Sequence, residues 1–184
     1  MKPLACIALA LTAALLVAAS AAQEPEVAGP SDGHAWLQHL VGEWSIVAES
    51  RMTPDAEPIR HESTETVRQI GELWIVSEQS AEFAGMPFSS LMTLGYDPER
   101  EVFIGSWIDS SSSYFWNYVG TLDESGKVLT LETEGPSITE PGKRLAYRDV
   151  HTLVGPGHRT MHSMMKAEDG SWTTFMNGEA RREK

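Results

Sequence analysis

The feature that most constrains this chain is its punctuation. From Trp44 onward, short apolar, aromatic and β-branched runs are broken at close intervals by turn clusters. The breaks include Gly71, Gly85-Met86-Pro87, Asp97-Pro98, Asp123-Glu124-Ser125-Gly126, Gly155-Pro156-Gly157 and Glu168-Asp169-Gly170. Glycine there supplies positive φ, proline presets its own φ, and aspartate or serine bonds the backbone two residues on. Between the breaks the spacing predicts strands over 44–51, 59–69, 73–82, 88–96, 101–109, 114–122, 127–134, 144–154, 159–167 and 172–181. The connections are short, so neighbours pair as hairpins. A sheet of about ten strands closes on itself or splits in two, because open edges invite pairing with other chains. The prediction is a mainly β fold: a single up-and-down antiparallel β-barrel of about ten strands.

One segment departs from this rhythm. Residues 34–41 carry Trp36, Leu37, Leu40 and Val41 on one side of a helix that Ser31 or Asp32 would cap and Gly42 would stop. Ahead of it, residues 1–22 read as a secretory signal peptide, with Lys2, then an apolar run, then the small residues Ala18 to Ala22. Residues 23–33 read as a flexible leader and 34–184 as the barrel domain. The chain is expected to be exported, periplasmic or extracellular, without a membrane anchor once the signal is removed. Its single cysteine, Cys6, lies in the signal, leaving the domain no disulfide or thiolate chemistry. The net charge of −12 argues against nucleic acid and anionic membrane surfaces as partners.

The stretch from Gly95 to Ser113 holds the least ordinary chemistry. In the predicted strand over 101–109, alternation sets Phe103, Gly105, Trp107 and Asp109 on one face and Val102, Ile104, Ser106 and Ile108 on the other. Both faces are largely apolar, as in a strand that lines a cavity or is covered on both sides. Asp109 beside an indole has two readings. It caps the turn made by Ser110 to Ser113, or it is a polar group at the wall of a pocket.

Leu40-Val41-Gly42-Glu43-Trp44 after a short helix resembles the Gly-x-Trp opening of lipocalin-type barrels. That resemblance implies that Trp44 closes one barrel end beneath an arginine of the last strand, here Arg181 or Arg182. A longer match includes Gly85-Met86-Pro87-Phe88, Gly95-Tyr96-Asp97, Ser106-Trp107-Ile108-Asp109, Arg148-Asp149-Val150 and the basic end at Arg182. On these pieces the chain resembles the bacterial family called domain of unknown function 1579. The resemblance implies a lipocalin-like barrel and brings no activity with it.

The ligand-binding candidates come from face arithmetic. Trp74, Val76 and Glu78 share one strand face, Ala146, Arg148, Val150 and Thr152 share another, and Trp107 and Asp109 a third. Were all three faces inward, Trp74, Glu78, Trp107, Asp109 and Arg148 would make an apolar pocket with a few polar anchors. The expected role is binding of a small apolar or amphiphilic molecule. The alternatives are an isomerase- or cyclase-type enzyme that pairs an interior carboxylate with Arg148, and an interaction scaffold with a filled core. No catalytic signature is present. His158 and His162, four apart on a strand, sit about 13 Å from each other, and Met161, Met164 and Met165 read as gap fillers in a core. No cofactor and no metal is expected.

Overall fold

The computed structural model describes residues 29–51, 53, 56–83 and 85–184. The expected signal peptide over 1–22 and the expected leader as far as residue 28 lie outside the described residues. Helix α1 (Asp32–Leu37) begins two residues before the predicted start. Ser31 stands ahead of it in extended backbone, and its N–H donates to Nδ1 of His34 at 3.0 Å. The helix stops earlier than its apolar period suggests. After Leu37 the backbone bonds tighten to three-residue spacing, with the Leu40 N–H on the Leu37 carbonyl and the Val41 N–H on that of Gln38.

Ten strands follow: β1 (Gly42–Ser50), β2 (Ile59–Ile70), β3 (Trp74–Phe83), β4 (Met86–Asp97), β5 (Val102–Asp109), β6 (Ser112–Leu122), β7 (Val128–Pro136), β8 (Arg144–Gly155), β9 (His158–Lys166) and β10 (Trp172–Arg182). Each pairs antiparallel with its sequence neighbour, and β1 pairs with β10 to close the barrel. This is the predicted lipocalin-like up-and-down barrel. Ser112 and Ser113, predicted as loop, already belong to β6.

Closure gives every strand an inner and an outer face. β1 shows the alternation plainly: Trp44, Ile46 and Ala48 are buried, and Glu43, Val47 and Glu49 between them are exposed. α1 covers one end, here called the floor. Trp36 Nε1 donates to the Gly126 carbonyl in the β6–β7 turn at 2.8 Å, and the Trp36 ring meets Phe103 edge-on at 5.5 Å. Leu37, Leu40, Leu94, Leu129 and Leu131 fill the space above it.

Trp44 is the centre of that floor, 2% exposed, with Nε1 donating to the Leu40 carbonyl at 2.8 Å. Arg182, its register partner on β10, places its guanidinium 4.3 Å from the indole centroid. The same guanidinium donates to the carbonyls of Val41 and His39. Gly42 is obligatory here: its φ is +136°, and any Cβ would run into Arg182 Nη1. The Gly-x-Trp signature thus joins a left-handed backbone, a buried indole and an arginine that bonds carbonyls of the link between α1 and β1.

Candidate binding site in the barrel interior

The faces of three strands decide which predicted site residues meet. On β5 the arithmetic is right: Trp107 is on the inner wall and packs against the core. Asp109 closes that strand at the open end, and its Oδ1 accepts the Ser111 N–H at 2.6 Å and the Ser111 hydroxyl. Its carboxylate is therefore used by the turn, the first of its two readings.

On β3 and β8 the expected inward sets face outward, one residue out of phase. Trp74 is 38% exposed. Its indole lies across the outer surface of Gly95, its register partner, where no side chain could stand. Glu78 faces solvent opposite Arg68 at 3.5 Å. Arg148 pairs with Glu132 on the outer wall, Nε to Oε1 at 2.7 Å, and its guanidinium stacks over Trp172 at 4.0 Å. The cause is local: both faces of these strands mix polar and apolar residues, so the period of two has no phase of its own. Trp74, Glu78 and Arg148 do not reach the interior, and the isomerase-type alternative loses Arg148 as its anion holder.

The slipped register brings different residues inside. From β3 come Ile75, Ser77 and Gln79, and from β8 Tyr147, Asp149 and His151. Two polar groups result. In the first, near the floor, Arg159 is 4% exposed and lies 4.6 Å from the Trp44 centroid. It is ion-paired with Glu65, whose other oxygen accepts the Ser77 hydroxyl at 2.6 Å. Burial, with Arg182 nearby, pulls the Arg159 pKa down to about 10, which still leaves it charged at neutral pH. Higher on the same wall, Gln79 Nε2 donates to Ser63 Oγ at 2.7 Å.

The second group is on β6, β8 and β9. The Tyr118 hydroxyl donates to Asp149 Oδ2 and the Ser163 hydroxyl to Oδ1, each at 2.5 Å. Burial, reinforced by Asp149, raises the Tyr118 pKa well above its ordinary value, so it remains a donor. His151 is buried two residues along; burial lowers its pKa, against the opposing pull of Asp149.

Toward the open end the wall turns aromatic. Trp107 and Trp116 are register partners. The Trp116 ring meets Tyr114 at 4.9 Å and Tyr147 at 5.2 Å, both edge-on, and Tyr147 meets Phe175 at 6.2 Å. Within this region Trp116 Nε1 and Thr133 Oγ1 are buried without a partner among the described residues; His151 Nδ1, likewise unpartnered, lies nearer the floor, beside Leu129 in the ladder. Thr133 lies beside Tyr147 in the ladder, so the indole N–H and this hydroxyl belong to one patch of wall.

The histidines that suggested a metal lie outside it. His158 Nε2 faces Glu179 at 2.8 Å and His162 Nδ1 faces Asn177 at 2.7 Å, both on the outer face of β9. Among the described residues no three His, Cys, Asp or Glu side chains gather as a metal-binding group.

Comparisons with known proteins bear on the fold. The family described as "Protein of unknown function (DUF1579)" matches residues 29–182. No curated protein matches the chain. Among solved structures, Rv2717c from M. tuberculosis is similar, with a TM-score of 0.57 at 17% identity over 81% of this chain and 98% of that one. The S-type phycobiliprotein lyase CPES from Guillardia theta is similar with a TM-score of 0.54 at 15% identity, over 82% of this chain and 92% of that one. At such identities the likeness is one of fold.

Proposed function

The chain belongs to the DUF1579 family, which supplies a fold and no activity, and we propose that its barrel holds a small apolar or amphiphilic molecule between the floor and the open end. One observation carries the reading: Trp116 Nε1 and Thr133 Oγ1 are inward and buried, yet neither has a partner among the described residues. A buried indole N–H ordinarily finds an acceptor, and leaving such a group unmet costs roughly 1–3 kcal/mol. A scaffold with a filled core has no reason to carry two in one patch. An apolar molecule with an oxygen or nitrogen would lie against Trp107 and Trp116 and meet both groups. The small number of placed polar groups in an aromatic wall fits such a site. The expected setting is outside the cytoplasm, as the first 22 residues suggest, with no nucleic-acid partner for so acidic a chain.

The test uses 1-aminoanthracene, a neutral fluorophore with an apolar body and one amine. Uptake should brighten its emission and draw energy from the tryptophans. The double variant Trp116→Phe, Thr133→Val keeps an aromatic ring and a β-branched side chain and removes both polar groups. It should bind about thirtyfold more weakly, at about 1 kcal/mol for each of the two hydrogen bonds lost. No uptake by the native chain, or equal uptake by the variant, sinks the reading.

A further inference from the structure

The inference here rests on the interior-binding reading and names the chemistry of the molecule bound. The two inward carboxylates have opposite surroundings. Glu65 is held by the Arg159 guanidinium. Asp149 receives hydroxyls on both oxygens, from Tyr118 and Ser163, but among the described residues no arginine or lysine pairs with it. Its titratable neighbour on the strand, His151, is kept neutral by burial. A negative charge thus stands in the barrel without a countercharge, in surroundings where an unpaired charge is costly.

The wall on the open side of Asp149 is suited to a cation. Tyr147 is two residues along the same inner face, and its ring is 5.2 Å from Trp116, the register partner of Trp107. Aromatic faces carry negative potential and attract organic cations, most strongly where water is excluded. The chain's charge of −12 draws cations toward it from a distance as well.

We infer that the barrel takes an organic cation with an apolar tail, its ammonium head seated at Asp149 and its tail lying along Tyr147, Trp116 and Trp107 toward the open end. Asp149 supplies the charge, Tyr118 and Ser163 hold its oxygens in place, and the indoles cover the carbons next to the nitrogen.

Three probes of equal tail length separate the possibilities: decyltrimethylammonium, 1-decanol and decanoate, titrated calorimetrically into the full chain in enough salt to screen surface charge. The expected order is cation, then alcohol, then carboxylate, with the cation bound at least about tenfold more tightly than the alcohol. In Asp149→Asn that preference should collapse to about twofold or less. In Glu132→Gln, a change on the outer wall, it should persist. Equal binding of cation and alcohol, or a preference that survives Asp149→Asn, overturns the inference and leaves the interior-binding reading standing. Failure of all three probes to bind overturns both. Where Asp149→Asn does not fold, a crystal structure of the native chain with decyltrimethylammonium decides. The nitrogen beside Asp149 supports the assignment, and a nitrogen at the Asp109 or Glu134 carboxylates of the open end refutes it.

Discussion

The two ends of this barrel are built to different standards. At the floor the indole and the guanidiniums have partners, although among the described residues Arg159 Nε and His151 Nδ1 are buried there without one. Trp44 has a carbonyl for its N–H and two guanidiniums over its ring, Arg182 bonds the His39 and Val41 carbonyls between α1 and β1, and Arg159 has Glu65. Above it, the same ten strands carry a carboxylate that no arginine or lysine pairs with and two buried polar atoms, Trp116 Nε1 and Thr133 Oγ1, that have no partner among the described residues. A fold under selection for stability alone would treat both ends alike. The contrast separates a floor that holds the barrel closed from the groups above it, on which the proposed binding rests.

The largest way to break that contrast is at the floor. Trp44→Ala removes a buried indole together with two cation–π contacts and leaves a cavity against Leu40 and Ile46. It should lower stability by about 3–5 kcal/mol, as for other large core truncations. Urea unfolding followed by circular dichroism would show the midpoint fall with little change in slope. An unchanged midpoint would mean that closure comes from strand pairing and that the floor is ornament.

How much of this was legible in the chain follows the same division. The floor is local: Gly42, Trp44 and the preceding helix lie within a few residues, so the motif could be read before any strand was paired. Its arginine, as Arg181 or Arg182, is implied by the resemblance to lipocalin-type barrels. The interior is not local. On β5, Phe103 and Trp107 mark the inner face by size. On β8 the two faces are Tyr147, Asp149, His151 and Ala146, Arg148, Val150, equally mixed, and one residue of phase exchanges them. Arg148 was therefore chosen where its neighbour Asp149 points inward. The phase is set by β7, whose clean alternation of Leu129, Leu131 and Thr133 against Thr130, Glu132 and Glu134 fixes β8 through the ladder that pairs Leu131 with Asp149. That pairing was the missing signal. Glu65, Arg159 and Ser77 escaped for the same reason, since three separate strands bring them together.

A second test, through pH, bears on the wall between the floor and Asp149. Burial holds the His151 imidazole below its ordinary pKa, while in the unfolded chain it titrates near 6.5. Below that value the unfolded state takes up a proton that the folded state refuses. Stability should therefore fall as pH drops through about 6.5 toward the folded value, by at most about 1.4 kcal/mol per pH unit for this one group. Above 6.5 the group contributes no pH dependence, because both states are neutral. His151→Gln removes the effect, so native and variant urea midpoints should converge in their pH dependence above 7 and diverge below 6. Parallel profiles across the whole range would show that the imidazole reaches water or a partner inside the barrel.

The smallest expected effect lies on the outer wall, and it tests the register itself. Arg148 and Glu132 form a pair whose side chains are 35% and 55% exposed. Such pairs contribute about 0.2–1 kcal/mol, because water screens them and two long side chains must be held still. The stack on Trp172 adds a similar small amount at an exposed site. Arg148→Ala should therefore shift the urea midpoint only slightly, and Arg148→Ala with Glu132→Ala hardly further, since each single change already removes the pair. An inward Arg148 would behave otherwise. Removing it would strand a buried carboxylate at a cost of about 3–5 kcal/mol, and the second substitution would recover much of the loss. Whether the second substitution leaves the loss unchanged or recovers it, more than the size of either change, thus reports which face of β8 looks into the barrel. The same answer decides whether Asp149 stands inside to receive a cation.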